Sequence, residues 1–174
     1  RLGCTPTLAE TSLPELCEQL LKEASKIQLD LKVAMNDVLL DNLRSGDLDL
    51  VLGPMVQTDD TFQAEEIARD QMVVMASPKH PIFNHGKITM RSLLEYQWVL
   101  PAPSVASRQW LDSAFDKHRM PRPSVQITTT TLSMIMPLIA RSSLLGFASK
   151  LNLEAERGNL REVVLKETTM DRKL

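Results

Sequence analysis

Arg44-Ser45-Gly46-Asp47-Leu48-Asp49-Leu50-Val51-Leu52-Gly53 is the stretch on which the fold is decided. Gly46 closes a helical pattern, since a glycine just past the last turn takes the left-handed backbone that other residues avoid. Leu48 to Leu52 is then a short, nearly continuous apolar run, the pattern of a strand in a parallel sheet covered on both faces. Working back, Asp37 is placed to cap a helix from Val38 to about Arg44. Gln28 to Val33 alternates as a strand, with Ile27, Leu29, Leu31 and Val33 on one face. Arg1 to Cys4 reads as a strand and Thr5-Pro6-Thr7 as a loop. A helix is expected from Ser12 to Ala24, with Ser12 as N-cap, Pro14 in the first turn and Glu15 at capping-box spacing. Leu13, Leu16, Cys17, Leu20 and Leu21 are its apolar stripe. Strand, helix, strand, helix, strand in about fifty residues makes two right-handed crossovers, hence an α/β class.

Beyond Phe62 the pattern changes. Ala64 to Ile67 and Gln71 to Ala76 read as strands, the second broken by Ser77-Pro78-Lys79-His80-Pro81. A helix follows Thr89 (Met90 to Tyr96), then a strand at Trp98 to Leu100, a polar loop at Pro101 to Ala106 and a helix from Ser107 to His118. Ser124 to Thr128 is a strand and Leu132 to Arg141 a helix, although Pro137 inside it requires a kink or a later start. Leu144 to Ala148 is a strand, Asn152 to Arg157 a helical turn, and Leu160 to Leu165 the last strand. This is a second βαβ set.

Twenty Lys and Arg against twenty-two Asp and Glu leave a formal charge of −2 in 174 residues, with no basic run. Phosphate neutralisation supplies most nucleic-acid affinity, so this chain itself is not expected to bind DNA. Cys4 and Cys17 build neither a disulfide framework nor metal-site spacing and read as small apolar residues in a reducing cytosol. No apolar run approaches the roughly 20 residues of a membrane span, and no signal peptide is visible. There is no Gly-x-Ser-x-Gly elbow, phosphate loop or dinucleotide fingerprint. His80, His85 and His118 have no zinc-like arrangement. No enzyme activity, cofactor or metal is expected.

The quoted stretch resembles the hallmark of LysR-type effector domains: a helix end, a Gly turn, and a strand carrying Asp-Leu. Other pieces follow in family order. Arg1-Leu2-Gly3 with Thr5-Pro6-Thr7 resembles the opening strand and ligand loop, and Leu13-Pro14 with Leu20 the first helix. Ala76-Ser77-Pro78-Lys79-His80-Pro81 resembles the His-Pro break, and Leu145-Gly146-Phe147-Ala148 the late strand of the second lobe. Ser143 and Lys150 depart from the usual Gly and Pro. The resemblance implies a type II periplasmic-binding-protein-like fold, two Rossmann-like lobes joined by crossover strands. Lobe I is expected over 1–72 plus 167–174, incomplete at its carboxyl-terminal end, and lobe II over 73–166.

It also implies a small-molecule effector held between the lobes. In open α/β sheets ligands sit beyond the carboxyl ends of strands, where helix N-termini offer free N–H groups. The strand ends give Thr5 and Thr7, Asn36, Pro54, Ser104, Ser107 and Arg108, Thr129 and Thr130, and Ala148 as candidate effector contacts. Of these, Thr7, Asn36, Pro54, Ser107, Arg108 and Thr130 fall on positions that contact effectors in the family. Some have a plainer reading: at the Thr128–Thr131 run, Thr131 or Ser133 reads as only a helix cap, Ser104 and Ser107 as loop solvation and an N-cap, and Arg108 as a solvated surface residue. Pro54 stands where relatives often carry a basic or polar side chain, which weighs against a doubly charged effector. The expectation is therefore the cytoplasmic effector-sensing half of a transcriptional regulator. Its DNA contact would come only through a winged helix-turn-helix absent from this chain. It would pair as a homodimer or homotetramer through the Ser12–Ala24 helix and the Gln28–Val33 strand. The rival is an extracytoplasmic solute-binding protein of the same fold.

Overall fold

The computed structural model describes residues 1–55, 61–129, 131–156 and 158–174. It divides into two compact units, Arg1–Asp70 with Arg172–Leu174, and Gln71–Asp171.

Unit 1 is built on a three-stranded parallel sheet. β1 (Leu2–Cys4) lies between β2 (Leu31–Val33) and β3 (Leu50–Leu52), with Leu2 opposite both Leu31 and Leu50. Between β1 and β2 run α1 (Pro6–Thr11) and α2 (Leu13–Glu23), and between β2 and β3 runs α3 (Asn36–Arg44). The expected loop at Thr5-Pro6-Thr7 is instead a helix start, because Pro6 supplies a fixed φ where its missing N–H costs nothing. The Ser12 capping box does not form. Ser12 is itself helical (φ −109°, ψ −28°), its N–H bonded to the Leu8 carbonyl, so its side chain caps nothing. Similarly α3 opens at Asn36 with Met35 as N-cap, not at Val38 with Asp37. Gly46 has φ +77°, and the N–H groups of Asp47 and Leu48 fold back on the Asn42 carbonyl. That closure removes Leu48 and Asp49 from the expected strand, so β3 starts at Leu50. Leu2, Cys4, Leu8, Leu13, Leu39 and Leu48 make the small core, and burial pushes the Cys4 thiol up to about 11, leaving it inert.

Unit 2 carries a mixed sheet in the order β6-β5-β7-β4-β8. Its strands are β4 (Arg69–Ala76), β5 (Gln97–Pro101), β6 (Ser124–Thr129), β7 (Leu145–Ser149) and β8 (Arg161–Glu162), with β9 (Met170–Lys173) also on β4. β5 is parallel to β6 and β7, and β4 is antiparallel to β7 and β8. Both faces are covered: Met72, Val74, Trp98 and Leu100 pack into one cluster with Phe115, and Val73, Met75 and Val99 into another with Ile139. This two-sided burial is why β4 reads as an unbroken apolar run.

Helices are α4 (Met90–Leu93), α5 (Ala106–Lys117), α6 (Ile135–Ala140) and α7 (Lys150–Ala155). α4 starts from a Thr89–Ser92 capping box but ends three residues before the expected Tyr96, its last N–H groups bonding to i−3 carbonyls. Pro137 is accommodated by a later start. Leu132–Met134 is a 3₁₀ turn, and Pro137 falls in the first turn of α6. Ala64 to Ile67 is not a strand, and the far end of the expected Asn152–Arg157 helix lies outside the described residues. The expected Leu160–Leu165 strand pairs over only two residues.

No strand was read from the residues at β9, although the resemblance implied a second crossover near Thr168. The chain leaves unit 1 within β4 and re-enters it within β9, and polar pairs tie the two strands. Arg172 Nε donates to Asp70 Oδ2 at 2.7 Å, and Gln71 Nε2 to Asp171 Oδ1 at 2.7 Å.

His80 is buried (3% exposed). Its Nδ1 accepts from the Ile82 N–H at 3.1 Å, leaving Nε2 as the donor to the Ser143 carbonyl at 3.0 Å. Burial holds its pKa below the ordinary 6.5, so the folded protein keeps the neutral ring where the unfolded chain takes a proton. Stability from this group is complete above pH 6.5 and is lost as pH falls below it. Denaturant titrations from pH 7.5 to 5.5 are expected to show ΔG of unfolding declining towards acid, more steeply in the wild type than in His80→Asn. Equal slopes would contradict this placement of the ring.

Candidate functional site

In unit 1 the parallel register makes three strands end at one edge. Leaving β1, Thr5 bonds its N–H to the Leu52 carbonyl at 3.0 Å and becomes the N-cap residue of α1 without a side-chain cap bond. It is 8% exposed. Leaving β2, the chain turns into α3 at Asn36, whose Nδ2 donates to the Pro54 carbonyl at 3.3 Å beyond β3. Gly53 lies between them: a Cβ there would stand 2.6 Å from Asn36 Oδ1 and 3.0 Å from Thr5 Cγ2. Thr5, Asn36 and Pro54 are thus brought together around a glycine that the candidate set left out. The hallmark stretch contained Gly53, but only the three-dimensional approach of Asn36 gives it a role. Thr7 is half-buried in the first turn of α1, its carbonyl taking the Thr11 hydroxyl at 2.8 Å.

In unit 2, β5 gives way to a turn closed by the Val105 N–H on the Ala102 carbonyl. Ser104 is exposed in that turn, and Ser107 is half-buried in the first turn of α5. Arg108 is not a solvated surface residue. It is 8% exposed, and its Nε donates to Asp112 Oδ1 at 2.9 Å. Thr129 ends β6, with Oγ1 accepting the Thr131 N–H at 3.0 Å. Thr130 lies outside the described residues. Ala148 is 6% exposed among Val73, Met75 and Ile135, where its methyl is core packing. Its neighbour Ser149 accepts the Leu151 N–H at 3.1 Å and caps α7. Among the described residues no group of three His, Cys, Asp or Glu side chains is arranged for a metal, and no helix is long and apolar enough to cross a membrane.

The LysR substrate binding domain family matches residues 1–174. The transcriptional regulator GalR of Pseudomonas putida is 27% identical over 168 residues, covering 94% of this chain and 42% of that protein. An uncharacterised HTH-type transcriptional regulator, YybE of Bacillus subtilis, is 28% identical over 116 residues, covering 67% and 40%. The chain therefore spans about two-fifths of the length of these relatives. Among solved structures, the regulatory domain of Synechocystis CcmR in complex with 2-PG has a TM-score of 0.85 at 18% identity, over 99% of this chain and 83% of that one. The effector-binding domain of QuiR in complex with shikimate has a TM-score of 0.79 at 18% identity, over 99% and 82%. With the family matched from end to end, the chain belongs to the LysR substrate binding domain family and is the effector-binding domain of a LysR-type regulator.

Proposed function

We propose that this domain senses a small polar or anionic metabolite in the cytoplasm, and so controls DNA binding and transcription by a full-length regulator whose winged helix-turn-helix lies outside this chain. The carrying observation is the meeting of Thr5, Asn36, Gly53 and Pro54 at the carboxyl edge of the parallel sheet. In unit 2, Ser107 and Arg108 stand in the first turn of α5. The Thr5 hydroxyl, the Asn36 amide and the Pro54 carbonyl of unit 1 can by themselves orient a polar ligand. None of this set is arranged to make or break a bond, which fits binding better than catalysis. The same fold holds 2-PG in CcmR and shikimate in QuiR, which supports a small-ligand role. The curated relatives are regulators, which favours a regulator over an extracytoplasmic solute-binding protein.

Thermal shifts with a panel of carboxylates, phosphate esters and neutral sugars test this reading. A specific effector is expected to raise Tm saturably, since a ligand at 100 times its Kd adds about 2.7 kcal/mol. Asn36→Leu is expected to weaken that effector about fivefold or more, the equivalent of one neutral hydrogen bond. Gly53→Ala is expected to act likewise, because its methyl turns the Asn36 amide aside. A panel without any saturable shift, or full affinity in both variants, counts against the site.

Self-association belongs to the same proposal. β2 is an edge strand with Leu31 44% and Val33 53% exposed, and on α2 Leu21 is 51% exposed. An exposed apolar edge strand is a template for pairing. Sedimentation is expected to give dimers or tetramers that Val33→Glu converts to monomers. A variant that associates as the wild type does would remove β2 from the interface.

A further inference from the structure

α6 is apolar on both of its sides. Ile135, Met136 and Ile139 are buried in the cluster that holds Val73, Met75 and Val99. The other side repeats at helical spacing as Met134, Pro137, Leu138 and Arg141. A helix that is apolar all round is ordinarily covered all round. Here Met134 is 51% exposed, Pro137 is exposed and Leu138 only half-buried. With Ser133 and Ser142, that stripe lines a groove of about 310 Å³ within unit 2, at the lower end of the range for small-molecule pockets, about 300–1,000 Å³. Its polar groups are few. The Ser142 hydroxyl donates to the Leu138 carbonyl at 2.6 Å and accepts the Leu144 N–H at 3.2 Å. Among the described residues the Arg141 guanidinium, exposed at the end of the stripe, meets no acceptor. The helix dipole accounts for a cation at that end, though not for the apolar path that leads to it.

We propose that this groove binds a free amphipathic monocarboxylate, its hydrocarbon laid along Met134, Pro137 and Leu138 and its carboxylate on the Arg141 guanidinium. Size selects a small molecule over a protein. Six residues line the groove, whereas a stable protein interface takes about 20–30 a side. Charge selects the head group. One unpaired guanidinium matches one carboxylate, its planar fork meeting both oxygens. The same single cation is too little for an anionic membrane surface, which calls for clusters of about 4–8 Lys or Arg. Length selects the chain. Ser133 and Arg141 stand about 12 Å apart along the helical rise, so a medium-chain acid fills the groove and acetate meets only its cationic end. The groove shares no residue with the strand ends of unit 1 or with the first turn of α5, and it stands or falls apart from the effector reading.

NMR spectra of the protein labelled at the methionine methyl carbons locate the ligand, because Met134 lies in the groove and Met134→Leu assigns its signal. Titration with octanoate is expected to shift the Met134 methyl saturably and to leave in place the Met90 methyl, buried in the opposite cluster. Octanamide, the uncharged counterpart, is expected to bind the wild type about tenfold more weakly, the scale of one charge-assisted bond, and acetate not to saturate. Arg141→Gln is expected to weaken octanoate about tenfold and to leave octanamide unchanged. A Met134 methyl that octanoate does not move overturns the site. Equal affinity for octanoate and octanamide, or an Arg141→Gln variant that titrates as the wild type does, overturns the role of Arg141. A response lost in Asn36→Leu puts the acid at the strand ends and overturns the groove, while leaving the effector reading intact. A Met134 signal that moves with protein concentration and then ignores octanoate means that a second copy covers the groove, which overturns the proposal as well.

Discussion

The in-register parallel pairing of β1 with β2 and β3 is the constraint from which the rest of unit 1 follows. With Leu2 opposite Leu31 and Leu50, and Cys4 opposite Val33 and Leu52, the three strands must end at one edge. Each strand then delivers a polar group within reach of the others: the Thr5 hydroxyl after β1, the Asn36 amide after β2 and the Pro54 backbone carbonyl after β3. The register leaves no other place for them, because a one-residue slip would turn every side chain to the opposite face. Right-handed crossovers carry α1, α2 and α3 back to the starting edge. Only a glycine fits where Asn36 and Thr5 close around position 53.

Elements governed by local signals were legible in the sequence. Gly46 marked the end of α3, the apolar run at Gln71 to Ala76 marked β4, a strand covered on both faces, and Pro137 announced either a kink in α6 or a later start. Boundaries failed where tertiary bonds overrode local chemistry. Thr5-Pro6-Thr7 looked like a loop because proline breaks helices, yet at the first helical position it begins one. Ser12 had the sequence of a cap, but α1 had already made it helical. β9 was invisible for a different reason. Met170 to Lys173 has almost no apolar content, and what holds it, Asp70 with Arg172 and Gln71 with Asp171, lies about a hundred residues away in sequence.

The candidate residues were readable as a set of strand ends but not as a set of roles. Sequence position put Arg108 in a first turn and left it between solvent and ligand. Only the structure seats it against Asp112, on a stripe where Leu111 and Phe115 are buried. Ala148 ends a strand as expected, yet the alternation of β7 turns its methyl into the core, and strand-end position alone does not distinguish the two directions. His80 belonged to a recognisable His-Pro break, but its structural task became visible only with the Ser143 carbonyl, 63 residues away, in place.

Hydrogen exchange with and without the best-stabilising panel member addresses the central claim most directly, namely that the carboxyl ends of the parallel strands hold the effector. The account predicts ligand-induced protection concentrated in the first turns of α1 and α3, with the amino ends of β1, β2 and β3 unchanged. Protection spread evenly over both units, or confined to the exposed groove of Met134, Leu138 and Arg141 on α6, would contradict it.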